Sequence, residues 1–131
     1  MKSADGQQWA PLTDPIPVQT NEIASAQPLI AATGKHIVLV YAWDATETLV
    51  PDAHHLQIVR SEDDGSHWTK PTPLIARDST DDSTDWPMDL HLDGTTAALL
   101  FQRLHPGHAS GDSIATPPAT CELAAAVWQV E

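Results

Sequence analysis

Short apolar runs separated by polar turn clusters set the pattern of this chain. Residues 36–44 read His-Ile-Val-Leu-Val-Tyr-Ala-Trp-Asp and residues 95–104 read Thr-Thr-Ala-Ala-Leu-Leu-Phe-Gln-Arg-Leu. Both runs are brief, carry branched or aromatic side chains and are bounded by turn residues, which favours buried strands over helices. The same reading along the whole chain predicts strands at 9–15, 27–33, 36–44, 55–62, 67–76, 86–92, 95–104 and 123–130. The sequence also repeats at 59 to 60 residues: Trp9 falls on Trp68, Pro11 on Pro71, Pro28 on Pro87 and Gly34 on Gly94. The strand-like run 37–43 falls on 97–103, so one supersecondary unit is expected twice.

Between two of these strands lies Ser61-Glu62-Asp63-Asp64-Gly65-Ser66-His67-Trp68, which reads S-x-D-x-G-x-x-W. Ser and Asp side chains hydrogen-bond nearby backbone, Gly supplies a positive φ, and Trp can fold back under the turn, so the spacing describes a hairpin. A degenerate copy, Ser3-Ala4-Asp5-Gly6-Gln7-Gln8-Trp9, keeps D-G-x-x-W but is one residue short between Asp and Gly. The motif resembles the Asp box, or BNR repeat, of the sialidase (neuraminidase) superfamily. That resemblance implies an all-β fold of about two antiparallel four-stranded blades of a β-propeller, strands a to d from the inside outwards. Residues 1–16 would supply strand d of a preceding blade, 27–76 a complete blade with its Asp box at 61–68, and 86–131 a following blade lacking its strand d.

At 131 residues the chain is long enough for one domain but too short for a ring of four to eight blades. The ring is therefore expected to be incomplete unless the protein is oligomeric, with open blade edges that invite self-association. The chain would be either a piece of a longer propeller or a subunit whose trimer closes six blades. Eleven prolines argue against a helical bundle. Eighteen acidic residues against six Lys and Arg give a net charge of −12, which opposes nucleic acid and anionic membranes as partners. No run approaches a membrane span, and Met-Lys-Ser-Ala-Asp-Gly lacks the apolar core of a signal peptide. Localisation stays open, although the resemblance favours a secreted or periplasmic parent. The single Cys121 excludes an intrachain disulfide and a multi-cysteine metal site from one chain.

The resemblance places the Asp-box residues Ser61, Asp63, Gly65 and Trp68 at the structural end and ligands at the opposite end. That end would carry the loops 44–54, 77–85 and 105–122, the longest polar connections in the chain. Spaced aspartates in 77–85 lack the D-x-[DN]-x-[DN]-G pattern and closing Glu of a calcium loop, so a solvated loop is expected. His105 and His108 have H-x-x-H spacing, but Pro106 and Gly107 make a turn and no third ligand is evident. No metal or cofactor is expected. Sialidases hold the substrate carboxylate with arginines and use a Tyr nucleophile, its Glu and an Asp acid. By that likeness Arg77 and Arg103 are candidate carboxylate ligands, Asp81 or Asp85 the acid, and Trp86 a plate for a sugar ring. Arg60 should lie towards the Asp box. Tyr41 sits in an apolar strand and reads as core, and no R-I-P signature is present. A glycan or glycoconjugate is the expected partner of the whole protein, without a complete active site in one chain. The alternatives are an exo-sialidase or other glycoside hydrolase assembled by oligomerisation, and a non-enzymatic scaffold for protein or glycan binding.

Overall fold

A computed structural model describes residues 6–8, 28–44, 54–78, 80–107 and 118–130. Among them are seven strands and no α-helix: β1 (Leu29–Thr33), β2 (His36–Asp44), β3 (His54–Ser61), β4 (Thr72–Pro73), β5 (Thr84–Asp93), β6 (Thr96–His105) and β7 (Thr120–Gln129). They form two antiparallel sheets, ordered β1-β2-β3-β4 and β5-β6-β7. The predicted strand at 9–15 lies outside the described residues.

The internal repeat corresponds to one hairpin built twice. Thr33 pairs with His36 across Gly34-Lys35, and Asp93 pairs with Thr96 across Gly94-Thr95. The two glycines have φ of 56° and 57°, a conformation that suits the Gly-X loop of a type II′ turn and that a side chain would oppose.

The predicted strand at 67–76 shrinks to Thr72–Pro73. Pro71 and Pro73 have no N–H to donate, so a continuous ladder along β3 cannot form. Isolated bonds hold the segment instead: Thr69 N–H donates to the Arg60 carbonyl (2.9 Å) and Leu74 N–H to the Leu56 carbonyl (2.9 Å).

The two sheets share one core. β5 lies against β1, β2 and β3, and Val38, Val40, Leu56 and Ile58 of the first sheet pack with Leu92, Ala97, Leu99 and Phe101 of the second and with Val130. Burying each large apolar side chain stabilises the fold by roughly 1.5–3 kcal/mol. The opposite face of the first sheet is also covered, since Leu39, Tyr41 and Val59 form a second buried cluster with Trp43 and Trp68. Tyr41 thus belongs to the core, where its strand pattern placed it. The opposite face of the second sheet is open: Leu123 and Val127 are 65% and 70% exposed, and the lone Cys121 lies exposed on the same side.

Candidate functional site

A β-bulge sets up the main polar cluster. Pro87 pairs with Phe101 but Asp89 with Leu100, so Met88 is an extra residue in β5. The extra residue keeps Asp85 and Pro87 on the same face as Leu90 and Leu92; without it, Thr84 and Trp86 would point there. Asp85 therefore enters the interior opposite its cross-strand neighbour Arg103. Its side chain is fully buried, and Arg103 grips it with a fork, Nε to Oδ1 at 2.8 Å and Nη2 to Oδ2 at 3.0 Å.

Arg77 arrives from the segment after β4. Its side chain is 5% exposed; Nη2 donates to Asp85 Oδ2, and Nη1 donates to Ser83 Oγ and, at 2.9 Å, to Asp81 Oδ2. Two successive Asp turns shape this segment. Asp78 Oδ1 accepts from the Thr80 N–H (2.9 Å) and hydroxyl (2.8 Å), and Asp81 Oδ1 accepts from the Ser83 N–H (3.0 Å) and hydroxyl (2.6 Å). The acidic segment is solvated only in part: Asp78 and Thr80 are exposed, while Ser83 and Asp85 are buried. It folds around Arg77, because a guanidinium removed from water has to be hydrogen-bonded and paired.

The charges settle accordingly. The hydrogen-bonded Asp85 carboxylate raises the pKa of Arg103 above its ordinary value. Burial pushes the Asp81 carboxyl up, but hydrogen bonds from Ser83 and the charge of Arg77 together hold it below the usual range. Hydrogen bonds from the Thr80 N–H and hydroxyl lower the Asp78 carboxyl. His55, at the start of β3, is buried beside the cluster; desolvation and then the Arg77 charge push its pKa down. Its Nε2 is buried without a hydrogen-bond partner among the described residues. His54 stacks on Trp86 with ring centroids 4.7 Å apart, and Trp86 is a half-buried residue of β5 rather than the end of an open loop.

At the other end of the first sheet the S-x-D-x-G-x-x-W turn is tied by its own side chains. Gly65 N–H donates to Ser61 Oγ (2.9 Å), Ser61 Oγ to Asp63 Oδ1 (2.9 Å), and His67 N–H to the same Oδ1 (2.8 Å). Trp68 Nε1 folds back to the Gly65 carbonyl at 3.1 Å. Asp64 joins Gly65 at positive φ, 60° and 79°, and its N–H donates to the Lys35 carbonyl (2.9 Å), docking the turn onto the β1–β2 hairpin. The imidazole of His67 bonds the Asp63 carboxylate and holds its pKa at about 2. Ser61, Asp63, Gly65 and Trp68 build this turn.

The chain matches no protein-family model, no curated protein and no solved structure. The chemistry therefore has to be read from the side chains. Arg77, Arg103, Asp81 and Asp85 do come together, but they face one another. Both terminal nitrogens of Arg77, and Nε and Nη2 of Arg103, are engaged by protein acceptors, and Asp85 has no exposed atom to offer a ligand. His105 pairs with Glu122 at 3.3 Å, whereas His108 and most of the loop 44–54 lie outside the described residues. Among the described residues no group of three or more His, Cys, Asp or Glu could hold a metal ion. The sequence offers His54 and His55 beside the first polar loop and Ser83 within the second, but nothing in their spacing marks His55 or Ser83 as neighbours of Arg77.

Proposed function

We propose that this chain supplies about two blades of a sialidase-type β-propeller whose whole form binds or processes glycans, and that one chain carries no complete active site. The observation that carries the second part is the internal commitment of Arg77 and Arg103. A carboxylate-binding cluster needs guanidinium donors free to meet the ligand, and these two already hold Asp85. The propeller part is supported by the turn at 61–68, by the twice-built hairpin, and by two antiparallel sheets packed face to face with β1 and β5 adjoining. It is supported as well by β7, which among the described residues pairs only with β6 and lies next to an apolar exposed face. The committed arginines favour a scaffold for glycan binding over an exo-sialidase assembled from several copies.

The test is light scattering after size exclusion across a concentration series, with hydrolysis of an aryl sialoside assayed on each species. The expected result is no turnover at any mass. Turnover confined to a species near 42 kDa, three times the 14.1 kDa chain, would overturn this reading and establish an assembled hydrolase.

A further inference from the structure

The Asp-box turn builds a cleft that the cluster around Asp85 does not involve. About 460 Å³ in volume, it is lined by Arg60, Glu62, Asp63, His67, Trp68 and Thr69. A smaller cleft of about 110 Å³ adjoins it through Arg60 and Thr69 and adds Lys70. The larger one is an open groove rather than an enclosed cavity, so it can hold one face of a small molecule. Arg60 is held there by its backbone, its N–H donating to Thr69 Oγ1 (3.0 Å) and its carbonyl accepting from Thr69 N–H (2.9 Å). No hydrogen bond or ion pair engages its guanidinium or the Lys70 ammonium among the described residues. Arg77 is buried and Arg103 commits its Nε and Nη2 to Asp85, so Arg60 is the arginine whose whole guanidinium has no protein acceptor among the described residues.

We infer that this cleft binds a hydroxylated ring bearing a single carboxylate, a uronic-acid type of compound. The Arg60 fork matches a carboxylate in geometry, the Trp68 indole offers an apolar wall for a ring, and Glu62 accepts from ring hydroxyls. Glu62 and Asp63 repel any anion, but a dianion about twice as strongly as a single carboxylate, so a carboxylate is favoured over a phosphate. The inference rests on the β3–β4 hairpin alone, and its failure would leave the two-blade reading untouched.

The test is a titration of the full chain with glucuronate, followed by the indole N–H resonance of Trp68, which the spectrum of Trp68→Phe identifies. Saturable shifts in the millimolar range or tighter are expected, with glucose and inorganic phosphate binding more weakly. Arg60→Gln should weaken binding roughly tenfold or more, and Arg60→Lys, which keeps charge but loses the fork, by less. These substitutions spare the backbone bonds of Arg60, and a retained strand spectrum by circular dichroism checks that. No saturable shift, equal binding of phosphate, or unchanged affinity in Arg60→Gln would overturn the assignment.

Discussion

The two sheets use nearly the same hairpin yet end in different states. Among the described residues the first sheet has four strands and apolar clusters on both faces, whereas the second has three strands, one buried face and one open face. Its β7 alternates Ala124, Ala126 and Trp128, which pack on the shared core, with Cys121, Leu123, Ala125 and Val127, which are exposed. An antiparallel sheet with one solvated face ordinarily alternates apolar with polar residues. Here both sets are apolar, which is the pattern of a sheet made to be covered twice. The difference teaches that the first sheet is covered by Trp68 and the segment at 69–74, whereas the second presents, among the described residues, an edge and a face suited to another strand and another sheet.

Substitutions at the join between the sheets give the largest expected effects. Asp85→Ala would leave the Arg77 and Arg103 guanidiniums without their shared buried anion, and breaking such a group costs about 3–5 kcal/mol. Urea denaturation would measure it, and a loss below about 1 kcal/mol would mean that the cluster does not tie the Arg77 segment to the second sheet. Leu99→Ala, in the core that both sheets share, should cost about 2–5 kcal/mol, again by urea denaturation. The Asp-box turn comes next. Gly65→Ala places a side chain at φ of 79°, and holding an L-residue there costs about 1–2 kcal/mol. The added Cβ would meet only ordinary contacts, 3.5 Å from Ile37 Cδ1 and 3.7 Å from Trp68 Cζ2, so backbone conformation rather than crowding sets the cost.

Acid should act through His55. Its folded pKa lies below its ordinary 6.5, so the unfolded chain takes up the proton first as pH falls. The stability tied to neutral His55 is present above 6.5 and is lost as pH drops from there towards the folded value. Thermal melts at pH 7 and pH 5 should show that the decrease is smaller in His55→Gln than in the parent. The smallest effect belongs to the open face: Val127→Thr keeps a branched strand former and should change stability by no more than about 0.5 kcal/mol. A loss comparable to that of Leu99→Ala would erase the contrast between the sheets.

Much of this fold was legible in the sequence, because strands show their apolar runs and turns their glycines. The expected strand at 36–44 coincides with β2, and those at 27–33, 55–62 and 95–104 fall within two residues of β1, β3 and β6 at each end. The strand at 67–76 was overextended because a period-two reading does not weigh the missing donors of Pro71 and Pro73. The strand at 86–92 also falls within two residues of β5 at each end; only Thr84 and Asp85 were read as loop, and Trp86 packs on His54 instead of standing as an open plate. The candidate site was half legible. Charge and loop position picked out Arg77, Arg103, Asp81 and Asp85, but that they hold one another follows from the bulge, which no local pattern announces. His55 was in view beside the first loop, but its place next to Arg77 was not, since the two lie 22 residues apart and meet only in the folded chain.

Cys121 is the most direct reporter of the difference between the sheets, as the one thiol of the chain and a member of the open face of β7. The measurement is its rate of reaction with a disulfide reagent in the native chain, relative to the urea-unfolded chain, at low and then rising protein concentration. The expected result is a native rate within a few-fold of the unfolded rate at low concentration, slowing as copies associate through that face. A thiol strongly protected in the dilute monomer would contradict an open second sheet.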